Sequence, residues 1–252
     1  MASVREHYDE LLSRHYSRMF GDFDAKVAEQ RSWLERLGVR ASRSGDVAVD
    51  LGCGSGFQSI ALAGLGFRVL AVDFSRPLLA ELETRARGLP IDVLAGDIRD
   101  VATLVPRGVD PVVCMGDTLS HLEVAEDLTR VFAGVAARLA PGGRLILTFR
   151  DLTGELRELD RLIPLYCSDD LIMTCFLEYE PATVKVHDLI WERQPDGWRF
   201  HKSAYRKLRL APDSVITRLE RAGFTVERRQ APSGMIALVG CLRAIDSRGK
   251  GR

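Results

Sequence analysis

The middle of the chain alternates between short unbroken apolar runs and longer stretches in which apolar residues recur at helical spacing. Unbroken runs bounded by glycine or proline are typical of buried strands, whereas recurrence at every third or fourth position is typical of helices packed on one face. The pattern predicts strands at 47–51, 67–72, 91–95, 111–115 and 143–149, and helices at 57–65, 77–87 and 122–139. Strands connected through helices favour an α/β fold, in which a mostly parallel sheet carries helices on both faces.

The two flanks of this region have different patterns. Residues 1–40 favour two amphipathic helices that meet near Gly21, and 151–210 contain strand-like stretches separated by turns. A helix at 213–222 and strands at 224–229 and 235–242 would bring the predicted sheet to seven strands. We therefore expect an N-terminal helical cap at 1–40, a core at 41–150, a small antiparallel β insertion at 151–210, completion of the core sheet at 211–245 and a disordered tail at 246–252. The strands of the insertion are expected near 171–179, 183–191 and 198–210.

An apolar strand that runs into a glycine-rich turn is the most informative stretch. Residues 47–51 are followed by Gly52, Gly54 and Gly56. Glycine accepts positive φ and lets a ligand approach the backbone, and the helix that follows offers free N–H groups. A second strand ends in Asp73, 21 residues after Gly52, where a nucleotide-binding βαβ unit places the acid that accepts hydrogen bonds from ribose hydroxyls. The sequence predicts an adenosine-type ligand.

The spacing of the glycines narrows this ligand. The dinucleotide fingerprint is Gly-x-Gly-x-x-Gly, but here the third glycine comes one residue early and Phe57 stands in its place, which disfavours a pyrophosphate. The segment Val-Asp-Leu-Gly-Cys-Gly-Ser-Gly resembles the first motif of class I S-adenosylmethionine-dependent methyltransferases. The resemblance implies S-adenosyl-L-methionine as cofactor, a Rossmann-like fold, and a cofactor site that includes Asp50, the three glycines and Asp73. The alternative is a strand-to-helix turn that binds nothing.

Composition excludes several other classes of protein. The 35 basic and 35 acidic residues cancel and the pI is near 7, so a nucleic-acid partner is not expected. Five cysteines, an odd number and mostly within apolar runs, favour reduced core thiols in a cytoplasmic protein. Their spacing suits no zinc site, and we expect no metal. The absence of a signal segment or a long apolar run predicts no membrane association.

A narrower resemblance extends over roughly residues 7–242. Met-Phe-Gly-Asp at 19–22, Met-Gly-Asp-Thr-Leu-Ser-His-Leu at 115–122, Thr-Phe-Arg at 148–150 and the antiparallel insertion look like glycine N-methyltransferase and its small-molecule relatives. The resemblance implies that an aromatic and basic N-terminal segment folds over the cofactor, that one acid binds the adenine amino group between two apolar side chains, and that an arginine binds a substrate carboxylate. It leaves a homo-oligomer open. The matching positions are Tyr8, Tyr16 and Lys26 in the N-terminal segment, Asp97 with Ile98 and Phe74 at the adenine, Met115 through its backbone at the methionine end, and Arg150 at the substrate.

Two departures from that family put glycine in doubt as the substrate. Asp117 stands where glycine methyltransferases have asparagine, and a carboxylate there would repel a substrate carboxylate and attract an ammonium. Leu189 lies near the position of a substrate-facing tyrosine. The alternative for Asp117 and Arg150 is that they form a structural salt bridge with each other.

Methyl transfer from a sulfonium is an in-line displacement that depends mainly on positioning, with assistance from a group that takes the acceptor's proton. His121 and Asp117 are the candidate catalytic residues, and His187 and Tyr205 are candidate substrate contacts on the insertion, although each histidine could instead be structural. The sequence favours N-methylation of a small amine or amino-acid-like molecule. The alternatives are O-methylation of a hydroxylated metabolite and a non-catalytic cofactor-binding module. Methylation of a flipped base is disfavoured because the fourth strand ends in Met-Gly-Asp-Thr.

Overall fold

The computed structural model describes residues 3–43 and 45–243, which form two sheets. The predicted tail at 246–252 lies outside the described residues. No helix within the described part of the chain is both long enough and apolar enough to cross a membrane.

The larger sheet has seven strands in the order β10-β11-β5-β4-β1-β2-β3. Strands β1 to β5 are parallel, while β11 runs antiparallel between β5 and β10. The predicted Rossmann-like, mostly parallel sheet is thus confirmed. Its strands are β1 Val47–Leu51, β2 Arg68–Asp73, β3 Ile91–Ala95, β4 Val112–Cys114, β5 Arg144–Phe149, β10 Phe224–Gln230 and β11 Ile236–Leu242.

Helices cover both faces of this sheet because successive strand residues point to opposite sides. On one face, Ala48 packs with Trp33 and Leu62. On the other, Val49 packs in a core that includes Phe132 and Leu219. The helices are α1 Val4–Glu10, α2 Phe23–Arg36, α3 Phe57–Gly64, α4 Arg76–Arg85, α5 Val101–Leu104, α6 Ala125–Ala136 and α7 Pro212–Arg221.

The N-terminal cap is more broken than the pattern predicted. Helix α1 starts at a capping box between Ser3 and Glu6 and ends at Leu11, whose φ of −128° and ψ of −61° leave the helical region. Two 3₁₀ turns, Leu12–Arg14 and Ser17–Phe20, then lead to α2. Hydrophobic spacing alone did not reveal the break, because 3₁₀ turns also bring residues three apart to one side.

The antiparallel insertion forms a separate sheet in the order β6-β7-β8-β9. The prediction of three strands was incomplete, since a fourth strand precedes them. This strand contains Pro164, and its pairing shifts register between Pro164 and Tyr166, as is typical of an edge strand. The strands are β6 Leu162–Cys167, β7 Leu171–Tyr179, β8 Thr183–Gln194 and β9 Gly197–Leu208.

A short turn after β4 shapes the site. The sequence predicted a helix from residue 122, but α6 begins only at Ala125. Asp117 adopts a left-handed conformation with φ of 75°, and the 3₁₀ turn Thr118–His121 follows it. This geometry turns the chain back across the end of β4, so that His121 faces the N-terminal cap.

Candidate active site

A cleft of about 680 Å³ lies at the carboxyl ends of β1 to β4. Helix α1 covers it from one side, and residues of β8 and β9 close its far end. This is the location at which open parallel sheets bind their ligands. Site residues predicted from the sequence that line the cleft are Tyr8, Tyr16, Gly52, Gly54, Asp73, Phe74, Asp97, Ile98 and His121.

The glycine turn lies against neighbouring side chains that leave no room for larger residues. Gly52 has a φ of 72°, and a Cβ there would overlap the side chain of Thr118. Gly56 has a φ of 95° and is packed in the same way against Leu82. A Cβ on Gly54 would lie 3.2 Å from the ring of Tyr16. The turn therefore needs glycine both for its backbone and for its packing.

Asp73 is held at the floor of the cleft by two backbone amides. The Gly54 N–H donates to Oδ2 and the Ser75 N–H donates to Oδ1, each at 2.8 Å. Burial raises the pKa of this carboxyl, and the amide hydrogen bonds oppose that shift. Each oxygen keeps a further lone pair. The carboxylate is thus held in one orientation with acceptor capacity to spare, and its predicted contact with a ribose stays a prediction.

Asp50 lies beneath the turn rather than in the cleft lining. Its Oδ2 accepts a hydrogen bond from the Ser59 hydroxyl at 2.6 Å, which links β1 to α3. Burial, with a smaller contribution from the Asp73 carboxylate, raises the pKa of Asp50 to about 7 against the opposing effect of Ser59. Its contact with the cofactor stays a prediction.

Asp97, predicted to bind the adenine, lines the cleft and is paired with a neighbour. The Arg99 N–H donates to Oδ1 at 2.8 Å, and the Arg99 guanidinium donates to both carboxylate oxygens. Burial opposes ionisation of Asp97, but Arg99 outweighs it and lowers the pKa of the carboxyl. An adenine amino group would share this acceptor with Arg99.

Aromatic rings form the roof of the cleft. Tyr8 of α1 packs edge-on against Phe74 and His121, with ring centroids 6.0 and 5.5 Å away, and lies 6.0 Å from Tyr16. Helix α1 is fastened beside them by the Ser75 hydroxyl, which donates to Asp9 at 2.9 Å. The cap therefore shields this end of the cleft from water.

Asp117 is the centre of a buried charge cluster. The Arg150 N–H donates to Oδ1 at 2.7 Å, the Arg150 guanidinium pairs with Oδ2, and the Lys207 Nζ lies 3.1 Å from Oδ2. Burial opposes ionisation of Asp117, but Lys207 and Arg150 outweigh it and lower the pKa of the carboxyl well below its usual range. The salt bridge considered from the sequence is thus present. Lys207 was not among the predicted residues, although its position two residues after Tyr205 on one strand was a signal for it.

Beside this cluster, three ring systems meet under the cap. The Nε2 of His121 is buried without a hydrogen-bond partner among the described residues. Burial, reinforced by the positive charge of Lys207, lowers the pKa of His121 to about 3. Tyr205 is buried behind it, with ring centroids 5.6 Å apart. Tyr205 also stacks on His7, which pairs with Asp188, and the sequence pointed to neither of those two residues.

Other predicted residues lie away from the cleft lining. Lys26 pairs with Glu29 and lies 3.4 Å from the Ser233 hydroxyl. Met115 is buried, with its carbonyl accepting a hydrogen bond from Thr118 at 2.9 Å. His187 is on the opposite face of β8 from the buried Asp188 and pairs with Glu178. Gly56, Asp117, Arg150 and Tyr205 are also outside the lining, and the roles of all these residues stay predictions.

The cysteines differ in their exposure, and the described residues form no metal-binding cluster. All five cysteines are unpaired, but Cys167 and Cys241 are exposed, so the expectation of core thiols holds only for Cys53, Cys114 and Cys175. Among residues 3–43 and 45–243, no cluster of three or more His, Cys, Asp or Glu side chains is placed to hold a metal ion.

Comparison with known proteins identifies the central part of the chain. Residues 48–143 match the family described as a methyltransferase domain. This segment contains all of β1 except its first residue, β2 to β4, and the glycine turn, and it includes Asp73 and Asp97, which line the cleft.

Curated relatives differ in the group that they methylate. The chain is 36% identical over 107 residues to a cypemycin N-terminal methyltransferase from Streptomyces sp, covering 42% of this chain and 43% of that protein. It is 33% identical over 117 residues to a ubiquinone biosynthesis O-methyltransferase from Xanthomonas euvesicatoria, covering 46% and 47%. It is 26% identical over 169 residues to glycine N-methyltransferase from Mus musculus, covering 58% and 54%. The chain thus spans about half the length of the curated relatives it matches.

Solved structures share the fold over nearly the whole chain. An S-adenosylmethionine-dependent methyltransferase from Clostridium acetobutylicum superimposes with a TM-score of 0.72 at 18% identity, covering 94% of this chain and 96% of that one. The cofactor-bound amino pentose methyltransferase CalS10 from Micromonospora echinaspora gives a TM-score of 0.73 at 16% identity, covering 90% and 95%. At these identities the likeness concerns the fold, including the cap and the insertion.

Proposed function

We propose, from the premise that this chain carries a class I S-adenosylmethionine-dependent methyltransferase domain, that it methylates the amine of a small or amino-acid-like molecule. The observation that carries the proposal is the carboxylate of Asp73, oriented by the Gly54 and Ser75 amides at the floor of a roofed cleft. A buried acid with free lone pairs in that position suits the ribose of an adenosine-type cofactor.

The residues of the cleft fit S-adenosylmethionine from end to end. We assign the lining residues Asp97, Ile98 and Phe74 to the adenine and Asp73 to the ribose, and the backbone of Gly52 and Gly54 to the methionine end. When bound, the cofactor supplies an activated methyl group on its sulfonium. The chain's own contribution is to align the acceptor and exclude water, which can remove on the order of 7 to 11 kcal/mol of barrier.

Two features support an amine as the acceptor. Tyr8 and Tyr16 contribute aromatic rings to the cleft lining, and such rings attract cationic groups such as an ammonium. The imidazole of His121 adds a hydrogen-bond acceptor in the cleft wall, because burial and Lys207 keep it neutral at physiological pH. An amine acceptor benefits from both features.

O-methylation of a hydroxylated metabolite is the second candidate. The free Nε2 of His121 favours it, because a neutral imidazole in the cleft wall can accept a hydrogen bond from a hydroxyl and orient its oxygen. We place either activity in the cytoplasm, since five unpaired thiols suit a reducing compartment.

The test is a transfer assay with isotope-labelled methyl donor and a panel of small amines, amino acids and phenols, with products identified by mass spectrometry. Labelled amines would support the first candidate and labelled phenols the second. Asp73→Asn serves as the cofactor-deficient control. Saturable cofactor binding without transfer to any compound would contradict both and favour a non-catalytic module.

A further inference from the structure

A histidine–aspartate pair is buried between the cap and the insertion, one residue layer behind the cleft. His7 projects from α1 and Asp188 from β8, and His7 Nε2 lies 2.8 Å from Asp188 Oδ2. The two residues are 1% and 3% exposed. A carboxylate this deeply buried needs a partner, and His7 is the partner that the described residues supply.

Asp188 determines which nitrogen of His7 carries the proton. An ionised carboxylate only accepts hydrogen bonds, so Nε2 donates to it and the neutral ring keeps a lone pair on Nδ1. That Nδ1 is buried and forms no hydrogen bond with any residue in 3–43 or 45–243. The same arrangement of carboxylate and imidazole orients the basic histidine of hydrolytic triads.

The His7 ring is one side chain away from the cleft. It stacks on Tyr205, with ring centroids 4.3 Å apart and an interplanar angle of 28°. Tyr205 lies beside both His121 and Tyr8, which line the cleft. Tyr205 therefore lies between the His7 ring and the residues that line the cleft, and a relay from the cleft to His7 would pass at this point.

The charges around these rings balance when both histidines are neutral. Asp117 and Asp188 carry two negative charges, and Lys207 and Arg150 carry two positive charges. His121 is exposed to the field of Lys207, which disfavours a proton on it. His7 instead faces the carboxylate of Asp188. The other titratable groups beside His7 are the phenols of Tyr8 and Tyr205.

We propose that His7, oriented by Asp188, takes up the proton that an ammonium substrate loses before its nitrogen attacks, a role that rests on the proposed amine methylation. An N–H bond of the ammonium breaks, its electron pair stays on nitrogen, and the proton adds to the lone pair of Nδ1. The positive charge moves from the amine to an imidazolium that faces a carboxylate. His7 then returns the proton to solvent. Because it acts through an intervening group, His7 is a positioning residue.

The first test needs no substrate. In protein labelled with ¹⁵N-histidine, the His7 signals are assigned by their loss in His7→Gln. The signals of His201, which lies beside another carboxylate, Glu192, are assigned in the same way in His201→Gln and serve as the comparison. We expect an Nε2-protonated ring that becomes doubly protonated at lower pH, and a changed tautomer balance in Asp188→Asn. An Nδ1-protonated ring, or one that does not titrate, would overturn the proposal.

The second test compares acceptors that differ in charge. Aliphatic amines are cationic at pH 7 and must lose a proton, whereas aromatic amines are already neutral. In His7→Gln and Asp188→Asn, kcat/KM for an aliphatic amine should fall at least about tenfold at pH 7 and recover as the pH rises, while an aromatic amine changes less than about twofold. Equal losses for both acceptors, with cofactor affinity retained in calorimetry, would reduce the pair to a structural role. A wild-type chain that methylates no amine would refute the proposed function and the catalytic part of this proposal together, whereas an Nδ1-protonated ring refutes the pair alone.

Discussion

The Nζ of Lys207 lies 3.1 Å from Oδ2 of Asp117, so the insertion places a cation against a carboxylate at the end of β4. With Arg150 on the same carboxylate, the cluster carries a net positive charge. From the sequence, Asp117 was expected to repel a substrate carboxylate, but that prediction did not include Lys207. The described geometry neutralises Asp117, and an acidic substrate is no longer disfavoured on electrostatic grounds.

Removing Lys207 should destabilise the fold. Lys207→Met leaves the buried Asp117 with Arg150 as its remaining cation. We expect the free energy of unfolding to fall by about 2 to 4 kcal/mol, because a buried carboxylate that loses one partner is only partly compensated. Urea unfolding measures the change. Lys202→Met, an exposed lysine on the same strand, is the matched control. A loss no larger than that of the control would show that Arg150 alone compensates the carboxylate.

Replacing Asp73 should weaken cofactor binding. In Asp73→Asn one oxygen acceptor becomes a donor, and the loss of charge-assisted hydrogen bonds should cost roughly 1 to 3 kcal/mol of binding free energy. Isothermal calorimetry with S-adenosylmethionine measures it. Asp92→Asn on the neighbouring strand β3, where the acid is exposed and paired with Arg68, should bind normally. Unchanged affinity in Asp73→Asn would remove the proposed ribose contact.

Asp50 should make stability depend on pH. Because burial raises its folded pKa to about 7, the folded state binds a proton that the unfolded state releases near pH 4. Its contribution to stability is therefore fully present below pH 4 and is lost as the pH rises to about 7. The isosteric Asp50→Asn, which cannot ionise, should lose less stability between pH 4 and 8, by an amount on the order of a few kcal/mol. If the free energy of unfolding changed by the same amount in both proteins between pH 4 and 8, Asp50 would not titrate in this interval.

Arg150 should distinguish acidic from neutral substrates. Its side chain is 54% exposed beyond its pair with Asp117, which leaves N–H groups available to a carboxylate. In Arg150→Lys, kcat/KM for an amino acid should fall at least about tenfold more than for its carboxamide, because lysine lacks the planar fork that holds two oxygens. Equal effects on both would make Arg150 a structural residue.

The sequence predicted best what depends on local pattern. The run 47–51, the glycine turn and Asp73 follow from periodicity and spacing, and the structure places them as expected. The broken helix after Leu11 and strand β6 were missed, because a 3₁₀ turn imitates helical spacing and an edge strand lacks clean alternation.

Contacts between residues far apart in the sequence could not be predicted from local patterns. His7 and Asp188 are 181 residues apart, and nothing around either residue indicates the other. Lys207 and Asp117 are separated by 90 residues and meet only because β9 packs beside the turn after β4. The residues at the strand ends of the larger sheet could therefore be predicted from spacing, whereas the partners of Asp117 and His7 depend on how the two sheets meet.

The division of the cleft between two sheets has a consequence for protein engineering. The glycine turn, Asp73 and Asp97 lie at or after the ends of β1 to β3, while Thr183, Arg206 and Leu208 reach the cleft from the second sheet. On the proposed assignment of the cofactor to the larger sheet, libraries restricted to these positions of β8 and β9 would vary the methyl acceptor and leave the donor end unchanged. Selections for altered specificity should concentrate their diversity there.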